Sequence, residues 1–164
     1  LIDSVTMGQL DFAVVNVHHR PESLTVFYEQ ELRYVCLLPE DHALAQPNSA
    51  IDLNQLQQTD CIAYDSSRLH GADEHWQKIL SWPTVSLSAY SNIAVASLAR
   101  TTGKPAIVDP YTGRTMVALG GVITRPLKQK LVSTLCVITR GADTLSLAAR
   151  ALAEAVVTEL KRPA

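Results

Sequence analysis

The sequence is short of the features that mark several protein classes. Its 164 residues carry 14 basic and 16 acidic side chains for a net charge of −2, with a pI near 6.2. A domain that grips phosphate backbones or anionic membranes usually carries a basic stripe and a pI above about 9. Such contacts are not expected from this chain itself. Cysteine is scarce: Cys36, Cys61 and Cys136 form an odd, widely spaced set without a C-x-x-C. A disulfide framework and a zinc ribbon are thereby excluded, and the three read as small buried hydrophobes. The longest stretch without a charge, 81–99, is broken by Pro83, Asn92 and several serines, so no membrane span is expected. No basic and apolar leader opens the chain, which makes the cytoplasm the expected compartment. The first residue is Leu1, and the reading is of a piece of something longer.

Catalytic signatures are missing as well. There is no G-x-S-x-G, H-E-x-x-H, G-x-x-x-x-G-K-[ST] or G-x-G-x-x-G. His18 and His19 are adjacent, and His70 and His75 are five apart, so neither pair has the i, i+4 spacing that sets two imidazoles on one helical face. Gly113 and the Gly120-Gly121 pair are too sparse to cradle a phosphate and read as turn glycines. No catalytic residue, metal ligand or cofactor is expected. A Cys–His pair assembled in space is the enzyme alternative.

What is present is an alternation of strands and helices. Residues 1–8 look like the last turns of a helix stopped by Gly8, and 10–17 (LDFAVVNV) like a strand buried on both faces of a parallel sheet. Residues 24–38 read as two strands or one long bent one ending at Pro39. A short helix over 51–57 introduced by Ser49, a strand at 60–64, a polar loop at 65–73 and a helix over 75–80 follow. A strictly alternating strand at 84–90 runs into Ser91, which caps a helix from about Asn92 to Arg100. Residues 106–108 are a very short strand broken by the Asp109-Pro110 turn, and 122–125 another. Residues 131–139 (LVSTLCVIT) form the last strand. A closing helix capped by Asp143 or Thr144 carries an apolar stripe at 145, 147, 148, 152, 156 and 160.

Polar residues gather at strand ends, where α/β sheets place their ligand crevices. Asn16 ends the first strand, Asp65-Ser66-Ser67 follow the strand at 60–64, Tyr90-Ser91-Asn92 follow the strand at 84–90, and Asp109 follows that at 106–108. Ser91 and the first amides of its helix suit a carboxylate or another anion. Each of these groups also has a plainer reading. Ser91 is a simple cap, Asp109 a turn residue, and Asn16 an Asx turn closing its strand.

The same segments resemble the effector-binding domain of LysR-type transcriptional regulators from residue 1 to about 160. Val5-x-x-Gly8-x-Leu10-Asp11-Phe12-Ala13-Val14 is similar to the family's helix end and "G-x-LD-x-A" strand. The segment from Glu31-Leu32 through Leu37-Leu38-Pro39-x-Asp41-His42-x-Leu44-Ala45 resembles its "E-x-L-x-x-V-x-P-x-x-HPLA" passage, the most specific match. Ser91-Asn92-Ile93, Ala106-Ile107-Val108-Asp109-Pro110 and Arg125-Pro126-Leu127 resemble the passages that follow. Where the family usually has a G-x-G, this chain has Thr102-Gly103-Lys104-Pro105.

The resemblance implies a type 2 periplasmic-binding-protein-like α/β fold of two lobes joined by crossing strands. Lobe I, incomplete, would hold 1–31 and 127–164, and lobe II 32–126, with crossovers near Glu29-Gln30-Glu31 and Leu127-Lys128. A strand, a long helix and a second strand, about 40 to 50 residues, would precede Leu1. The implied function is sensing. A small effector, with a carboxylate and an amine as in amino acids or opines, would bind between the lobes against Asn16, Glu31, Ser66, Tyr90, Ser91, Asn92 and Asp109. A homodimer or tetramer would relay the change to a DNA-binding helix-turn-helix domain that these residues do not include, with no membrane involved. A solute-binding protein feeding a transporter is the alternative from another class.

Overall fold

The computed structural model describes residues 1–17, 23–47, 49–65, 79, 81–82 and 84–162, with the Ala142 side chain set aside. The chain divides into two compact units, the first formed by Leu1–Leu32 and Ser133–Ala164, the second by Arg33–Val132. The chain therefore crosses between them twice, within strands at both places.

The first unit is built on a three-stranded sheet in the order β1-β8-β2, from β1 (Phe12–Val17), β2 (Thr25–Arg33) and β8 (Val132–Thr139). β1 runs antiparallel to β8, with Phe12 opposite Thr139 and Asn16 opposite Leu135. The expectation of a strand buried on both faces is corrected here. Burial alternates along β1, with Ala13, Val15 and Val17 inside while Val14 and Asn16 are exposed, the pattern of an antiparallel strand with one covered face. Its inward residues join Val5 of α1 (Ile2–Thr6), Leu24, Cys136 and Ile138 in one small core.

The closing helix, α5 (Leu147–Leu160), starts later than expected. A short 3-10 turn occupies Ala142–Thr144, and Ser146 is the cap, its side chain accepting from the Ala149 N–H at 3.1 Å. The buried face also differs from the expected stripe. Leu147 is 88% and Leu152 57% exposed, whereas Ala153 is buried and Val156, Val157 and Leu160 are half-buried. Apolar residues lie nearly all round this alanine-rich helix, so the sequence alone defines more than one candidate stripe.

The second unit holds a five-stranded mixed sheet in the order β5-β4-β6-β3-β7, from β3 (Val35–Pro39), β4 (Cys61–Tyr64), β5 (Val85–Ala89), β6 (Ala106–Val108) and β7 (Val122–Pro126). β4 is parallel to both β5 and β6, while β3 is antiparallel to β6 and β7. Two clusters of buried side chains pack against this sheet, one around Leu38, Ile51, Leu56 and Ile107, the other around Leu37, Ile62, Val95 and Val108.

Of the helices in this unit, α2 (Leu53–Gln57) is capped by Asp52, not Ser49. Asp52 accepts from Asn54 N–H while the Gln55 side chain accepts from Asp52 N–H, a reciprocal capping box. The Ser49 hydroxyl instead donates to the Gln46 carbonyl. Helix α3 (Asn92–Thr102) ends on Gly103 at φ +70°, the left-handed conformation glycine adopts without a Cβ clash. The single glycine of Thr102-Gly103-Lys104-Pro105 thus suffices as a helix stop. Helix α4 (Pro110–Ala118) has no counterpart in the sequence reading, which took Asp109-Pro110 as a turn. Asp109 is the cap and Pro110 the first helical residue, where a missing N–H costs nothing. Gly113, read as a turn glycine, sits buried on this helix. A Cβ there would lie 2.9 Å from Thr124 Cγ2 and 3.2 Å from Val35 Cγ2. The helix approaches the sheet that closely only because the side chain is absent. The helix read over 75–80 lies largely outside the described residues.

Candidate functional site

Because β5, β4 and β6 are parallel neighbours, their carboxyl ends fall on one edge of the second unit's sheet. That edge gathers Tyr90, Ser91 and Asn92 after β5, Asp65 after β4, and Asp109 after β6. Asp65 N–H donates to the Ala89 carbonyl at 2.9 Å, tying the first two strand ends together. The N-termini of α3 and α4 open from the same edge, a setting in which unpaired amides and the helix dipoles favour negative charge.

The polar side chains here are used unequally. Asp109 is engaged by its own helix: Oδ1 accepts from Thr112 N–H at 2.9 Å and Oδ2 from Thr112 Oγ1 at 2.6 Å. Ser91 stands at the cap position of α3, its carbonyl accepting from Val95 N–H, yet its hydroxyl makes no capping hydrogen bond and the residue is exposed. Asn92 is half-buried, and its Oδ1 is shut off from solvent without a hydrogen-bond partner. Orphaned buried acceptors are uncommon and costly. Tyr90 is 52% exposed. Tyr64, at the end of β4, has its phenol pKa raised by burial first and then by Tyr34 and Asp65.

Asn16 and Glu31 belong to the first unit, exposed on β1 and β2. Ser66 lies outside the described residues. The structure thus assembles Tyr90, Ser91, Asn92 and Asp109 on one sheet edge and adds Asp65, which the sequence reading placed at a strand end without selecting it. The opening of α4 was overlooked, although Asp followed by Pro is a helix-start signal as much as a turn signal.

The three cysteines are free and buried. Burial, and secondarily Cys61, pushes the Cys36 thiol well above its usual range, while burial and then Asp60 push Cys61 up to about 11. Among the described residues no three His, Cys, Asp or Glu side chains gather as a metal site, and no helix is long and apolar enough to cross a membrane.

Comparison with known proteins places this architecture. No curated protein sequence matches the chain. Among solved structures, HinK, a LysR family transcriptional regulator from Pseudomonas aeruginosa, is similar at 17% identity and TM-score 0.68, covering 98% of this chain and 56% of that one. The effector binding domain of QuiR in complex with shikimate is similar at 15% identity and TM-score 0.69, over 96% of this chain and 75% of that one. A reduced form of OxyR from N. meningitidis is similar at 10% identity and TM-score 0.70, over 98% of this chain and 77% of that one. The chain spans a little over half the length of the Pseudomonas regulator, and nothing in these comparisons favours the transporter alternative. These likenesses fix the fold as the type 2 periplasmic-binding-protein-like α/β fold. The family model described as the LysR substrate binding domain matches residues 1–161, so the chain belongs to the LysR substrate-binding domain family.

Proposed function

We propose that this chain is the effector-sensing domain of a LysR-type transcriptional regulator and that it recognises a small carboxylate-bearing effector, of the amino-acid or opine class, at the edge formed by Tyr90, Ser91 and Asn92. Ser91 carries the reading: an exposed hydroxyl at the mouth of an eleven-residue helix is left unspent by that helix. It supplies a donor beside the α3 amides, where a carboxylate is favoured. Asp109 shapes the edge through Thr112.

In this reading the domain senses and does not catalyse. Its effector acts by preferring one of two arrangements of the regulator, and its differential affinity sets how far the balance moves. The regulator works in the cytoplasm as a homodimer or tetramer, and DNA is met by a helix-turn-helix domain outside these 164 residues. The similar structure of QuiR with shikimate supports a small-molecule effector. Redox sensing, which the reduced OxyR structure brings to mind, finds little support, since the thiols are buried and their pKa values raised.

A thermal-shift screen of the chain against amino acids, opines and small organic acids tests the proposal. A ligand at 100 times its dissociation constant adds about 2.7 kcal/mol, which moves the midpoint by about 5–10 °C. Ser91→Ala should then weaken the hit about tenfold or more, as loss of a hydrogen bond to a charged group does. An affinity unchanged in both Ser91→Ala and Tyr90→Ala would refute the assignment of this edge.

A further inference from the structure

A second concavity lies wholly within the second unit, lined by the segments that follow β3 and β7. It is a cavity of about 440 Å³ whose lining includes Leu44, Gln46, Ser49, Ile51, Gln55 and Lys128, within the range of about 300–1,000 Å³ typical of small-ligand sites. Its walls come from three separate segments that non-local hydrogen bonds hold in place. Arg125 reaches across to the turn, donating from Nε to the Gln46 carbonyl and from Nη2 to the Ala45 carbonyl, both at 2.9 Å. Ile51 N–H donates to the Pro126 carbonyl and Lys128 N–H to the Ile51 carbonyl, a parallel bridge that fixes Ile51 beside Leu127. Gln129 ties down the start of α2, accepting from Leu53 N–H and donating to Asp52 Oδ1. Such a surface is preformed, so a ligand entering it orders little.

The chemistry of the lining is one-sided. Gln55 uses Oε1 to accept from Asp52 N–H, which leaves its amide N–H groups without a partner among the described residues, and the Gln46 side-chain amide has none there either. Lys128 has a single ion pair, to Asp52 at 3.8 Å, beyond hydrogen-bond distance. Asn54 N–H and Gln129 both donate to the other oxygen of that carboxylate, Oδ1, and together with Lys128 they hold its pKa below the usual value. Unspent donors and one cation face an apolar floor of Leu44 and the buried Ile51.

We infer that this cavity is a second binding site, for a small monocarboxylate with a short apolar body, its carboxylate on Lys128 and the Gln46 and Gln55 amides and its hydrocarbon on Leu44 and Ile51. It shares no lining residue with the effector edge described above.

The test titrates sodium butyrate and sodium benzoate into the ¹⁵N-labelled chain, following side-chain amide and backbone resonances up to about 20 mM acid. Saturable shifts centred on the Gln46 and Gln55 amides and the Ser49 N–H are expected, with dissociation constants on the order of 1 mM or below. Lys128→Met, folded by circular dichroism, should bind about fivefold more weakly, the ratio that an exposed ion pair corresponds to. Butyramide, which keeps the shape and loses the charge, should bind the unaltered chain more weakly by a similar factor. The proposal falls if neither acid gives saturable shifts at these positions, or if butyramide binds as well as butyrate. Shifts confined to the first amides of α3 would report the other site, so failure of one reading is distinguishable from failure of the other.

Discussion

The two units solve the same packing problem with different resources. The second sandwiches a five-stranded sheet between two clusters of buried side chains and stops its helices on firm devices: a capping box at α2, Gly103 at α3 and Asp109-Pro110 at α4. The first has three strands, one small core, and a fourteen-residue helix whose one fully buried residue is Ala153. Leu1, Met7, Val14, Leu147 and Leu152 of the first unit stand exposed, as do Leu87, Ile93, Val117 and Leu119 of the second. Since hydrophobic stabilisation scales with apolar area removed from water, the second unit should carry most of the stability of these residues. The Ser91 hydroxyl, left unspent by its helix, lies on this second unit.

The largest test of this contrast is a pair of truncations. Leu38→Ala in the second unit's core should cost about 3–4 kcal/mol in urea unfolding, whereas Leu152→Ala on the outer face of α5 should stay within about 0.5 kcal/mol. Equal costs would overturn the contrast. A middle-sized effect is expected at Gly113→Ala. Alanine is the better helix former by about 1 kcal/mol, yet its methyl would collide with the stiff Thr124 and Val35 side chains, for a net loss of about 1–2 kcal/mol. A stabilised variant would mean that α4 does not pack on the sheet as described.

The smallest effect concerns acid. The Asp52 carboxylate is held below its usual pKa of 3.8 chiefly by Asn54 N–H, and that of Asp60 chiefly by Lys104, whose ammonium lies 2.7 Å away. Groups with depressed folded-state pKa values add stability that is full above the unfolded pKa and is lost as pH falls through the folded one. The urea midpoint should therefore drop as pH falls below about 4, and the Asp52→Asn, Asp60→Asn double variant should show a shallower drop. Parallel profiles would remove these carboxylates from the acid response.

Much of the fold was legible because periodicity and turn chemistry agreed. The strands at 25–33, 35–39, 61–64, 85–89 and 132–139 and the helix after Ser91 all emerge from alternation, apolar runs and a cap residue. The errors share a cause: one local signal with two meanings. Asp109-Pro110 opens a helix as readily as it makes a turn, and Tyr111, Thr112, Gly113 and Thr115 are weak helix formers, so α4 stayed hidden. The alanine-rich α5 offered several apolar stripes, and packing buries the one that contains Ala153. At the site, strand ends were readable from the sequence, but which hydroxyl is spent is not. Asp109 and Ser91 look alike as letters and differ in whether their own helix has taken them. The second cavity left no trace in the sequence, because its walls come from residues up to 85 positions apart, Ala43 and Lys128.

The Arg125 clasp has a further consequence. Its guanidinium holds the turn at 45–46 by carbonyl oxygens, groups every residue possesses, so the grip reads the path of the chain and is blind to its letters. Substitutions at Leu44 or Gln46 can therefore re-letter the wall of the cavity while its outline stays put, and descendants of this sequence could change what they hold there without first having to refold around it.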